Sequence, residues 1–179
     1  MRDYNFRLGE LFCGPGGMAI ASTLVSPIKT DSGDLISLSH AWGVDLSHPA
    51  IETFRANLGK KLGIEMDARL FVKSCLTPEN EINALAFGFP CNSFSSVGEQ
   101  EGMGSKKYGK LYKTGIKVIK AYNPIWFVAE NVSGIQACDS GEQFKEILRQ
   151  LSKAGRGYNV VANLYKFEEY VRLFNSPSS

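Results

Sequence analysis

Six short apolar runs, at residues 8–12, 41–44, 70–72, 85–89, 125–128 and 160–164, are separated for the most part by helical patterns. Such alternation predicts an α/β fold, because the runs can stack as buried strands while amphipathic segments between them cover the sheet. The sheet is expected to be largely parallel, since each return crosses over through a helix. After the second run Ser47 stands as a helix cap with Pro49 in the first turn; Ile51, Phe54 and Leu58 share one face, and Gly59 can end the helix. Ser140 and Gln143 have capping-box spacing, and Phe144, Ile147, Leu148 and Leu151 follow at helical intervals before Gly155. Residues 26–39, with Pro27, Gly33 and several Ser, Thr and Asp, read as a loop inserted in one domain rather than as a linker between two. Residues 1–179 are therefore read as a single domain, and a chain of this size buries roughly two thirds of its unfolded surface.

Composition narrows the function classes without choosing one. With 44% hydrophobic and 21% charged residues the chain can build a core, which excludes disordered and collagen-like chains. A net charge of +2 permits a nucleic-acid partner but does not demand one. Cys13, Cys75, Cys91 and Cys138 include no close pair and the histidines are His40 and His48 alone, so neither a disulfide framework nor a zinc site is expected and no metal is assigned. The apolar runs are too short to span a bilayer and the first residues lack a signal-peptide pattern, so the expected setting is cytoplasmic, with no membrane partner.

Chemistry enters at three places. Phe12-Cys13-Gly14-Pro15-Gly16-Gly17 follows the first apolar run and opens a helical segment, where glycines let backbone approach a ligand closely. Asp45 ends the second run, where a carboxylate can accept hydrogen bonds from ribose hydroxyls. Together they suggest an adenosine-bearing cofactor, with nicotinamide and S-adenosylmethionine both open; a tight turn plus a surface Asp is the plain alternative. In Phe87-Gly88-Phe89-Pro90-Cys91-Asn92-Ser93 a cysteine stands just past a strand, and its thiolate could serve as a nucleophile, although a buried structural cysteine fits that segment equally well. Finally, Ile125-Trp126-Phe127-Val128-Ala129-Glu130-Asn131-Val132 delivers an acid to the same edge of the sheet; the strand before it is apolar enough to predict a shielded carboxyl able to donate a proton.

In order and spacing these residues resemble the cytosine-5 DNA methyltransferase family over residues 8–170. The resemblance implies a Rossmann-type S-adenosylmethionine-dependent methyltransferase fold, incomplete at its C-terminal end. It implies Cys91 as nucleophile and Glu130, Asn131 and Val132 as the glutamate-asparagine-valine motif. Phe12, Gly14, Pro15, Gly16, Gly17, Met18, Asp45 and Pro90 fall to S-adenosyl-L-methionine. The implied reaction is methyl transfer to carbon 5 of cytosine in double-stranded DNA, within a restriction-modification system. There are departures. Asn92 replaces the usual glutamine, the third-motif acid has no counterpart near Ser74, and the match stops at Tyr170. The target-recognition region and the last two motifs are not among these residues, so a second subunit or the rest of an interrupted gene is expected to supply them, and the isolated chain is expected to be inactive or nearly so. The alternatives are a non-catalytic remnant or subunit, and an RNA cytosine methyltransferase of the same fold.

Lys106, Lys110, Lys113, Lys117 and Lys120 recur at helical steps, with Tyr108, Leu111, Tyr112 and Ile119 on the opposite side. A solvated helix face is the reading preferred over a phosphate-binding stripe.

Overall fold

The computed structural model describes residues 2–24, 27–90, 110–136 and 138–166. A six-stranded sheet forms the centre. Its strands are β1 (Asp3–Leu11), β2 (Ile28–Lys29), β3 (Leu35–Asp45), β4 (Gly63–Glu65), β5 (Ala84–Gly88) and β6 (Trp126–Glu130). The order is β2-β3-β1-β5-β6, with β4 paired to the far end of β3. All pairings are parallel except β2 with β3, as the crossover pattern of the sequence requires. The helices are α1 (Gly17–Thr23), α2 (His48–Leu58), α3 (Ala68–Ser74), α4 (Tyr112–Tyr122) and α5 (Glu142–Ser152).

Helices cover both faces. On one, Ala19 of α1 packs with Ile51 and Phe54 of α2 and with Cys13. On the other, Phe71, Val118, Ile119, Ile147 and Leu151 of α3, α4 and α5 meet Leu11, Trp42, Val44, Leu85 and Phe87 of the sheet. Side chains alternate along β1, so Leu11 joins the second cluster while Leu8 turns to the face carrying Met18. The chain runs outward from β1 through β3 to β4, then crosses back to β5 on the other side of β1. A crevice at the carboxyl ends of β1 and β5 follows from that reversal, and ligands of open α/β sheets bind in such crevices.

Several sequence expectations are corrected. Residues 70–72 lie within α3 rather than in a strand: Asp67 caps that helix by accepting from Arg69 N, and Leu70 is 57% exposed. The third outward strand is instead β4. Residues 160–164 form no strand, and Val161 is 73% exposed, because no neighbouring strand pairs with them among the described residues. The supposed loop at residues 26–39 is largely a hairpin, in which β2 pairs antiparallel with the start of β3 around a turn where Thr30 N takes Asp34 O. The capping box at Ser140 is absent. The N-cap of α5 is Gly141, Ser140 has φ of 54°, and no side chain caps the helix. Ser47 does occupy the N-cap of α2 and Gly59 its C-cap, but the Ser47 side chain makes no capping bond.

Candidate active site

Immediately after β1 the backbone coils back on itself. Phe12, Gly14 and Gly16 all take positive φ, at 55°, 53° and 96°. Glycine supplies the last two without steric cost, whereas Phe12 holds a sparsely populated conformation of the kind that clusters at ligand sites. Cys13 N donates to Val44 O, tying the turn to β3, and Gly16 O accepts from Ile20 N to begin α1. A methyl group at Gly14 or Gly17 would meet nothing within 4 Å, so the outer side of the loop stands open to a ligand. Pro15 is exposed, and Met18 is half-buried against Leu8, Ala84 and Ala86.

Asp45 closes this loop from β3. Its Oδ2 accepts from Gly14 N and its Oδ1 from Ser47 N, both at 2.8 Å. One carboxylate thus fixes the glycine turn and the start of α2, and each oxygen retains a lone pair for a further donor. An open glycine loop beside an anchored acid suits a ligand that brings ribose hydroxyls, so the residues present fit S-adenosylmethionine.

Sequence reasoning overlooked two acids here. Glu10, next to the loop on β1, is 1% exposed, and its Oε2 has no hydrogen-bond partner. Burial first, and the charge of Asp45 second, push its carboxyl up to about 8. Burial also raises the Cys13 thiol, with help from Glu10 and Asp45, so that cysteine is inert. An acid inside an otherwise apolar run was the available signal for Glu10. The second is Asp67. Ser74 ends α3, so no strand end lies near it; the acid beyond β4 is Asp67, just after Met66, whose N–H donates to Asp45 O. Asp67 pairs with Arg69, which holds its carboxyl below the usual range.

Across the crevice β5 and β6 end side by side, with Gly88 in register with Glu130. Asn131 Nδ2 donates to Phe89 O at 2.8 Å, and Asn131 Oδ1 accepts from Val132 N at 2.9 Å. Phe89 is buried against Phe87 and Tyr112, so the anchored carbonyl belongs to a packed segment. Pro90 is the last described residue before Cys91, which lies with Asn92 and Ser93 outside the described residues. The expectation of a shielded Glu130 is corrected. Exposure rises along β6, with Val128 at 47% and Glu130 exposed, because β6 has a strand neighbour on one edge only among the described residues.

Lys113, Lys117 and Lys120 are exposed along α4 and Lys110 is exposed just before it, while Leu111, Tyr112 and Ile119 are buried; Lys106 and Tyr108 lie outside the described residues. Among the described residues no cluster of His, Cys, Asp or Glu could hold a metal ion, and no helix is long and apolar enough to cross a membrane.

The C-5 cytosine-specific DNA methylase family model matches residues 6–171, which takes in the glycine loop, Asp45, Pro90-Cys91 and Glu130 to Val132. The chain belongs to this C-5 cytosine-specific DNA methylase family. It is 45% identical over 170 residues to the type II methyltransferase M.BbvI of Brevibacillus brevis, covering 92% of this chain and 45% of that protein. With M.NgoFVII of Neisseria gonorrhoeae, also a type II methyltransferase, identity is 35% over 130 residues, or 72% of this chain and 33% of the relative. The chain thus spans less than half the length of either of these relatives. Among solved structures, Dnmt2 methyltransferase of S. pombe superposes with a TM-score of 0.57 at 22% identity, over 83% of this chain and 41% of that one. A putative DNA modification methyltransferase encoded within an E. coli prophage gives 0.58 at 21%, over 83% and 38%. These likenesses identify the fold as the Rossmann-like methyltransferase fold, present in part, which gives a C-5 cytosine-specific DNA methylase the crevice described above.

Proposed function

We propose that this chain supplies the catalytic part of a type II DNA methyltransferase, transferring a methyl group from S-adenosylmethionine to carbon 5 of cytosine in double-stranded DNA. The observation that carries the reading is the convergence at one sheet edge of the open glycine loop, the anchored Asp45, the Phe89-Pro90 segment and the Glu130-Asn131 strand end. Phe12, the loop from Gly14 to Met18, Asp45 and Pro90 would hold the cofactor, with Asp45 accepting from its ribose. When bound, S-adenosylmethionine supplies an electrophilic methyl group on a sulfonium.

The target base must leave the duplex, because its ring carbons are shielded in the stack. Cys91 attacks carbon 6 as a thiolate, forming a carbon–sulfur bond. Glu130 holds or donates a proton at ring nitrogen 3, neutralising charge where it develops. After carbon 5 takes the methyl group, solvent water accepts the carbon-5 proton as the carbon–sulfur bond breaks, Cys91 departs as a thiolate, and Glu130 recovers the proton from ring nitrogen 3. Asn131 and Val132 keep the acid in place through the bonds to Phe89 O and Asn131 Oδ1.

Sequence readout needs contacts to base edges in a groove, and the residues outside this chain in its longer relatives would provide them, in the same or a second polypeptide. Among the described residues one side of β6 has no strand neighbour, and Val128 on it and Ile125 and Val132 flanking it are exposed, which supports a packing surface there. The cell interior is the setting where such DNA is met. Methyl incorporation into matched DNA and transfer RNA substrates tests the reading: methylated DNA cytosine supports it, and transfer to RNA alone overturns it.

A further inference from the structure

Glycine at position 88 is not explained by backbone conformation, since its φ lies outside the left-handed region. Gly88 is the last residue of β5, and a strand glycine commonly marks a close approach by another group. The approaching group is the Glu130 carboxylate. Gly88 and Glu130 are register partners on parallel strands, so their Cβ directions share one face of the sheet. A Cβ built on Gly88 would lie 3.1 Å from Glu130 Oε2 and 3.9 Å from Met18 Cε. The acid, although exposed, therefore leans across β5 into the space a side chain at position 88 would fill.

We infer that Gly88 is a positioning residue whose missing side chain seats the Glu130 carboxylate at the mouth of the segment leading to Cys91. The inference rests on the proposed role of Glu130, and it adds the element that fixes where the acid points. An alanine methyl at 3.1 Å is tighter than ordinary contact, so the carboxylate must give way by a few tenths of an ångström. Met18, at ordinary van der Waals distance, need not move. Because the displaced atom is the end of a flexible side chain, the fold tolerates the change while the acid loses its place. Valine, which suits strands, occludes the seat further.

Small displacements of a reacting group cost rate steeply, so kcat in a methylating assembly should fall about tenfold for Gly88→Ala and about a hundredfold for Gly88→Val. The KM for S-adenosylmethionine should stay unchanged. The deciding measurement needs no turnover. In the full chain with carbon-13 carboxyl labels on glutamate, the Glu130 resonance is assigned by its loss in Glu130→Gln. It should move in Gly88→Ala and further in Gly88→Val, while the thermal midpoint falls by no more than about 4 °C, the shift for about 1 kcal/mol. A Glu130 resonance unmoved in both variants, or wild-type kcat in both once it has moved, overturns the inference. Absence of methyl transfer by the unsubstituted assembly would count against the proposed function instead, leaving the seat to be decided by the resonance.

Discussion

Asn131 Nδ2 donates to the carbonyl oxygen of Phe89 at 2.8 Å and so pins the end of β6 to the end of β5. The bond joins the residue after the proposed acid to the residue before Pro90, so the strand end that carries the acid is tied to the end of β5. Asn131→Asp keeps the acceptor for Val132 N but removes the donor, leaving the Phe89 carbonyl facing a second acceptor. Loss of that bond should cost about 1 kcal/mol in a urea titration. Activity should fall by more than that stability loss alone implies, because the acid and the nucleophile segment separate. Wild-type activity in Asn131→Asp would show that the anchor is not needed.

Gly115 tests the packing behind the site. Alanine is favoured over glycine within helices by about 1 kcal/mol, so propensity alone predicts stabilisation of α4 by Gly115→Ala. The added Cβ would lie 2.6 Å from Phe87 Cε2, however, and Phe87 is fully buried beside Phe89 and Phe127. Overpacking a rigid aromatic typically costs about 1–3 kcal/mol. The expected outcome is a lower urea midpoint for Gly115→Ala, and a raised midpoint would refute the packing account.

Glu10 makes stability depend on pH. Its carboxyl goes from an ordinary 4.5 to about 8 on folding, so between those values the folded chain holds a proton that the unfolded chain has released. Unfolding free energy from this group is therefore greatest below pH 4.5 and declines as pH rises towards about 8. The slope is at most about 1.4 kcal/mol per pH unit. Glu10→Gln keeps the shape without the charge. Denaturant titrations at several pH values should show the variant gaining on the wild type as pH rises from 5 to 8, and parallel curves would contradict the assignment.

Asp45 should matter to the cofactor and to its loop together. Asp45→Ala removes the acceptor for Gly14 N and Ser47 N as well as the proposed ribose contact. Calorimetry with S-adenosylmethionine should show affinity weakened at least tenfold, as loss of about 1.5–3 kcal/mol for charge-assisted bonds implies. An unchanged affinity would place the cofactor elsewhere.

Much of this site was legible because its residues stand at strand ends, where sequence order and spatial position coincide. The glycine loop after β1, Asp45 at the end of β3 and Asn131 after β6 are where the sequence places them. What escaped depends on pairing and on space. Residues 70–72 are as apolar as a strand, yet Asp67 three positions upstream starts a helix that three residues of hydrophobicity cannot outvote. The apolar composition of β6 predicts burial only if something covers it, and composition cannot say whether a neighbouring strand does. Gly88 signals in the sequence only that something approaches the strand; which group it is depends on the side chain of a residue on another strand.

The isolated chain should transfer little or no methyl to mixed-sequence duplex DNA. Extruding a base costs a few kcal/mol, which must come from contacts around the target. This chain spans less than half the length of M.BbvI, and the residues outside the match are where such contacts are expected. Robust, sequence-specific methylation by the folded chain alone would refute this expectation.

The central claim is that Cys91 is the nucleophile of cytosine methylation, and a chimera tests it most directly. Residues 1–170 would be joined to the part of M.BbvI that follows its matched segment, and tritiated methyl transfer from S-adenosylmethionine to duplex DNA measured beside the Cys91→Ser chimera. The account predicts methylated cytosine with Cys91 present and none detectable with serine in its place. Equal methylation by both chimeras would contradict it.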